Sequence, residues 1–321
     1  MSTEHRTTSP PAPARQTPDR PQQRPALQEA GPVTRFIRRR PLLTFFLWLF
    51  TVGQALAFVP LFVSEADTGL HRQTFVVAST LFGLLLPAVV ITYVVDGRQG
   101  VVSLWRQVAA VRLALGWYAL AFLGVPLLAM AITVAFVGWP ATTSWSTLAW
   151  FLLPHFVLPL IFTFLPNNLW EELAWTGFVQ SRLQVRHGAV LAALITGPLF
   201  ALQHISLAVV SSGGSFVGTV ILILVLAAMT TPFRFLTGWL YNRTASVFLV
   251  GLVHATGNAV AGGSGYQSGY LAAVYPDNAM AVMSHLLASA LLGLVVLVAT
   301  RGRLADPART SAVTQQEGTV R

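Results

Sequence analysis

Asn168-Leu169-Trp170-Glu171-Glu172-Leu173-Ala174-Trp175-Thr176-Gly177-Phe178 sets two adjacent carboxylates in a run that is otherwise mostly apolar. No other acidic residue lies between Asp96 and Asp277. That interval reads as membrane. A carboxylate at the centre of a helix in lipid costs about 2.5–3.5 kcal/mol on insertion scales. Two side by side are therefore either functional or firmly partnered, and the default reading is a functional site inside a membrane protein.

Working outward, 54% of the 321 residues are apolar and only 10% are charged. A soluble domain carries nearer a quarter charged residues. The apolar residues fall in blocks of roughly 20, the length that crosses a bilayer. The fold class is all-α, a polytopic transmembrane helix bundle. There is no cysteine, which excludes disulfides, thiol catalysis and thiolate-bound metals. All 20 basic residues are arginine, and the net charge is +9. These arginines lie at the ends of apolar blocks, so membrane orientation explains them and nucleic-acid binding is not expected. The lack of lysine fits a GC-rich genome, and with the tail composition it points to a bacterial plasma membrane.

Residues 1–34 are rich in Pro, Arg, Gln, Thr and Ala and lack apolar periodicity. They read as a disordered N-terminal tail, too polar for a signal peptide. A transmembrane domain at 35–303 follows, then a second polar tail at 304–321. About eight spans are expected, near 41–63, 73–95, 114–138, 148–181, 188–210, 216–239, 245–263 and 280–300. The fourth is too long for one straight crossing, and Pro154, Pro159 and Pro166 should bend or interrupt it. Arginine placement tests the count. Arg35–Arg40, Arg98, Arg106, Arg112, Arg182, Arg186, Arg234, Arg243, Arg301, Arg303 and Arg309 fall on one side, and only Arg72 on the other. That pattern puts both termini in the cytoplasm. No internal repeat is visible.

Three polar constellations lie inside the spans. The first is Glu171 and Glu172. Glu171 lies 11 residues before Arg182, about 16 Å deep at 1.5 Å per residue. Neighbouring helical residues point about 100° apart, so one carboxylate can face a cavity while the other needs a partner, and Thr176 at i+4 can donate to Glu172. The second is Phe200-Ala201-Leu202-Gln203-His204, after a kink expected at Gly197-Pro198. The same counting places His204 about 27 Å from Arg186, deeper than the glutamates, a tension that tilt or a kink must absorb. The third is His254-Ala255-Thr256-Gly257-Asn258, with His254 about 16 Å below Arg243. Its two polar side chains stack one turn apart, the geometry that grips a metal, a water or an oxyanion. Gly251 and Gly257 should let another helix approach closely. His155 and His285 have no polar residue at i±4 to complete a site and read as packing or interfacial residues. His71 and His187 sit in loops.

Glu, His, His and Asn on three spans are a parts list for activating water. A Glu can take a proton from water and return it to a leaving amine. A His-Asn pair can donate to a developing oxyanion. Alternatively two His and one Glu can bind a divalent metal such as Zn²⁺, which activates its bound water. Both routes end in amide hydrolysis.

The order of Glu171-Glu172-Leu-Ala-Trp-Thr176-Gly177, Phe200-Ala-Leu-Gln-His204 and His254-Ala-Thr-Gly-Asn258 on consecutive membrane helices resembles the CAAX protease and bacteriocin-processing (CPBP, or Abi) family. Its members are intramembrane proteases of the type II CAAX prenyl endopeptidase kind. The resemblance covers about residues 110–300. It implies that Glu171 activates water with His204 as its partner and that His254 and Asn258 hold the oxyanion, with Glu172 in the same site. Family members have been described both as metalloproteases and as glutamate-dependent enzymes. The family pattern usually has Arg where Thr176 stands. Thr supplies no charge, so Glu172 is expected to be protonated.

The expected function is an intramembrane endopeptidase acting on a membrane-associated peptide or protein, with the lipid bilayer as its surroundings. Two other readings compete. One is a non-catalytic member of the same fold acting as a membrane scaffold or immunity protein, to which Thr176 gives weight. The other is a proton-coupled transporter, since intramembrane Glu and His also mark ion pathways.

Overall fold

The computed structural model describes residues 31–140, 144–263, 265 and 267–305. Most of the two tails, at 1–30 and 306–321, lies outside the described residues. The described chain is helical, with no strand among the described residues. A short helix α1 (Pro32–Arg39) leads into α2 (Pro41–Leu61), α3 (Arg72–Val108), α4 (Leu115–Val137), α5 (Trp145–Gln203), α6 (Phe216–Thr244), α7 (Val247–Val260) and α8 (Ala279–Ala299). Among the described residues, α2 to α6 and α8 are the six helices long and apolar enough to cross a membrane, and α7 is a shorter apolar helix.

Local chemistry sets the helix boundaries. Pro32 and Pro41 open α1 and α2, where the missing amide costs nothing. Ser144, Ser215, Ser246 and Asn278 cap α5 to α8 by accepting a backbone N–H from the first turn. The 59 residues of α5 form two arms, 145–187 and 189–203. Between them Gly188 adopts φ 77°, a left-handed backbone that glycine takes without strain. The three prolines expected to bend or interrupt the first arm do not end it. Pro154 and Pro166 fall in π-helical turns at Leu153–Val157 and Phe164–Asn168, and Pro159 sits in the α-helical turn Leu158–Thr163. A π turn takes in an extra residue, which accommodates a proline ring without ending the helix. A third π segment, Leu173–Gln180, begins directly after Glu172 and is buried throughout.

Polar contacts tie the chain together at one end of the bundle. Arg38 donates to the Val94 carbonyl, Arg182 pairs with Asp96, Gln184 and Asn242 exchange hydrogen bonds, and Asn242 also donates to Leu304 O. The arginine-bearing segments around 35–40, 98, 182–186, 243 and 301–303 therefore gather at this end. At the other end Tyr275 Oη donates to Gly138 O, Tyr270 Oη to Leu148 O, and His155 meets Ser268.

Helix α7 lies at the centre. Eleven of its 14 residues are buried, so it is enclosed by protein on nearly every side. His254 and Asn258 are two of the three that are not fully buried. Close approach to α5 depends on Gly251: a Cβ there would stand 3.1 Å from Leu169 Cα and 3.3 Å from Asn168 O. This contact sets His254, one turn along α7, against the glutamates, two and three residues along α5. Gly257 also meets a close neighbour, the Val125 side chain, 3.3 Å from where a Cβ would stand.

Helices α6 and α8 cross closely, and a Cβ on Gly293 would stand 1.9 Å from Pro232 O. Backbone cannot yield there as a side chain can. Gly293→Ala is expected to destabilise the bundle by about 1–3 kcal/mol or more through overpacking, read as a fall in the unfolding midpoint in detergent. An unchanged midpoint would refute so close a crossing.

Candidate active site

The first arm of α5, its second arm and α7 bring all five residues singled out in the sequence into one cluster, and α6 adds a sixth. Glu171 is 6% exposed. Its Oε2 accepts from Asn168 Nδ2 at 3.1 Å, and its Oε1 accepts from Gln203 Nε2 at 2.8 Å. Both donors are held from behind. Asn168 Oδ1 accepts from Thr163 and from Asn258 Nδ2, and Gln203 Oε1 accepts from the Trp175 indole. Neither amide can flip without losing these bonds, so each presents its NH₂ to the carboxylate.

His204 sits at a break between α5 and the short helix Ile205–Ser211. Its Nδ1 lies 2.9 Å from Phe200 O. A carbonyl only accepts, so Nδ1 carries the proton and donates. In the neutral ring Nε2 carries the lone pair, and it stands 4.0 Å from Glu171 Oε1. The His204 side chain is 27% exposed, so this edge of the cluster is its open edge. The depth tension for His204 is thus resolved. Equal counts along two helices give equal depths only when the helices start level and tilt alike, and the second arm starts afresh at Gly188.

Glu172 is fully enclosed. Thr176 Oγ1 donates to its Oε2 at 2.6 Å, the i+4 contact expected from the sequence. His254 Nδ1 stands 2.9 Å from Oε1 and 3.8 Å from Glu171 Oε2. The sequence did not point to the third partner. Arg234 of α6, also fully enclosed, grips Glu172 with both terminal nitrogens, Nη1 to Oε2 at 2.8 Å and Nη2 to Oε1 at 3.0 Å. Its guanidinium lies 4.0 Å over the Phe200 ring, a favourable cation–π position. Two readings are corrected here. Arg234 is not part of the arginine rim at the bundle end, and Glu172 has a cationic partner although Thr176 carries no charge. The physical reason is that charge compensation needs proximity in space, and α6 supplies it from 62 residues away.

Asn258 donates to Asn168 rather than to either glutamate, so it joins the cluster through Asn168. His285 and His155 stand apart, bonding Val282 O and Ser268 respectively, in keeping with packing roles. Among the described residues no group of three His, Cys, Asp or Glu side chains is arranged to hold a metal ion. Both oxygens of Glu172 are already taken by Arg234, His254 and Thr176. What remains for chemistry is the Glu171 carboxylate and the partly exposed His204 imidazole beside it.

Residues 153–260 match the family model Type II CAAX prenyl endopeptidase Rce1-like. The match covers about a third of the chain and is a likeness to that family. No curated protein matches the chain. The matched segment runs from the first π turn of α5 to the end of α7 and contains every residue of the cluster. The Rce1-like family is one of CAAX endopeptidases, which supports protease activity in a multi-pass membrane protein.

Arg234, Asn168 and Gln203 were legible only in part. Arg234 lies nine residues inside Arg243 on one helix, about 13 Å deeper. That depth could have separated it from the rim. Gln203 adjoins His204, and Asn168 precedes Glu171 by three residues, but neither carries a distinguishing pattern.

Proposed function

We propose that this protein is an intramembrane endopeptidase in which Glu171 activates water. The observation that carries the reading is the joint placement of Glu171 and His204 Nε2, 4.0 Å apart on the open edge of an otherwise enclosed cluster. A water taken up there donates one proton toward Glu171 and the other toward His204. Its oxygen attacks the peptide carbonyl as Glu171 takes the proton. The C–N bond then breaks and Glu171 returns that proton to the leaving nitrogen. Asn258, with one N–H given to Asn168, has a second N–H for the carbonyl oxygen. His254, held by Nδ1 on Glu172, presents Nε2 to the same space and donates from it when the ring carries both protons. Glu172 takes no part in proton transfer and anchors His254. Each step uses only groups on α5, on α7 and at the break that follows α5, and none is routed through a metal.

Eight crossings fit this reading best: the six long helices, with α5 counted as two arms, and α7. Both termini then lie on the arginine-rich side, the cytoplasmic side of a bacterial plasma membrane by the positive-inside rule. The substrate is a peptide bond in a membrane-associated peptide or protein. The non-catalytic alternative drew its weight from Thr176, and Arg234 supplies the charge whose absence motivated it.

The test is cleavage of a broad peptide panel by the detergent-solubilised protein, wild type beside Glu171→Ala, each with and without a strong chelator. Cleavage by wild type, lost in the variant and kept with chelator, is expected. Cleavage that survives Glu171→Ala would sink the proposal. Loss on chelation would replace the glutamate-only route with a metal-dependent one.

A further inference from the structure

The fully enclosed pair of Arg234 and Glu172 touches no open edge of the cluster, so neither residue meets substrate. Their position nonetheless bears on His254, which Glu172 Oε1 holds by Nδ1 at 2.9 Å. Without a fixed anchor that imidazole could turn about its χ angles in the space beside Phe200 and Phe233, whose rings lie 5.8 and 5.3 Å away. Four donors converge on Glu172, and Arg234 provides two of them. Arg234 is itself braced. Its backbone carbonyl accepts from Gln180 Nε2 at 3.0 Å, and its guanidinium rests on Phe200. Phe200 in turn bears on His204 through ring contact and through the carbonyl that fixes the His204 tautomer.

We propose that Arg234 is a positioning residue for this site: it locks Glu172, and through Glu172 sets the tautomer and orientation of His254. It also holds from α6 the cationic place beside Glu172 that residue 176 leaves empty of charge. Its Nη1 stands 3.4 Å from Thr176 Oγ1, with both atoms on Glu172 Oε2. A cation delivered from position 176 would therefore reach the same carboxylate oxygen from the neighbouring direction. The two positions are alternative origins for one charge. The role in turnover rests on the peptidase reading above; the positioning of His254 does not.

The experiment compares wild type, Arg234→Met, Arg234→Lys and the double variant Arg234→Met/Thr176→Arg. Two readouts are taken: peptide cleavage, and nitrogen NMR of histidine-labelled protein, with the His254 signals assigned by their loss in His254→Asn. Wild type should show a His254 Nδ1 proton held by a carboxylate. Arg234→Met should shift those signals and lower kcat about 100-fold, the scale of a misplaced catalytic group, with a smaller change in KM. Arg234→Lys keeps the charge but loses the two-pronged grip and should fall between. The double variant should restore the wild-type His254 signals and most of kcat. Signals in Arg234→Met identical to wild type would overturn the proposal. So would a shift that the double variant leaves unrestored, which would make Arg234 a packing residue. If wild type cleaves nothing while the His254 signals shift and recover as expected, the peptidase reading falls and the positioning unit stands.

Discussion

Glu171→Gln is expected to lower kcat by about 10²–10⁴-fold, the range for removing a general base, with the bundle still folded. The substitution is nearly isosteric, so the loss cannot be assigned to a cavity. It removes the ability to accept a proton, and it also disturbs the local bonds in a defined way. Both oxygens of Glu171 accept, one from Asn168 and one from Gln203. A glutamine must place its NH₂ against one of these donors, and neither donor can flip to oblige, because Thr163, Asn258 and Trp175 hold them. Glu171→Gln should therefore lose about 1–3 kcal/mol of stability, the cost of an unsatisfied buried polar group, whereas Glu171→Ala leaves two donors unmatched beside the open edge. Kinetics and unfolding in detergent, measured on the same preparations, check both halves. A Gln variant that retains wild-type kcat would show that proton transfer passes through another group.

The helical class and the cluster were legible because each rests on a local signal. Apolar blocks mark spans, and a polar residue in lipid marks function. The i+4 pair of Glu172 and Thr176 needed only the helix period. Gly251 predicted a close approach, and the approach it permits is the one that seats His254 on Glu172. What stayed hidden depended on distance in space. Nothing in the order of residues ties Arg234 to Glu172, since the pairing arises from how α6 crosses α5. The π turns around Pro154 and Pro166 were hidden for another reason. Proline excludes a regular α-turn, but whether the chain breaks, bends or widens is decided by the helices packed against it. Asn258 aligned with the site at the right spacing, yet its nearest partner proved to be Asn168, a residue with no motif of its own.

Arg234→Met should cost about 3–5 kcal/mol of stability, because it strands a fully enclosed carboxylate. Glu172→Leu should cost a similar amount, since it strands the guanidinium. The sum does not apply to the two together. Removing both ions removes the desolvation penalty of both, and buried pairs replaced by apolar groups of similar volume are often neutral or even stabilising. Glu172→Leu/Arg234→Met should thus unfold near wild type, losing only the bonds that Thr176 and His254 made to Glu172. A double-mutant cycle on unfolding midpoints in detergent measures the coupling. If the two single losses simply add, Glu172 and Arg234 do not act as an enclosed pair. The informative outcome is a double variant that is stable but inactive. Stability alone would then favour an apolar replacement, so the ionic pair would be retained for what it holds: His254, turned toward the space beside Glu171 and His204.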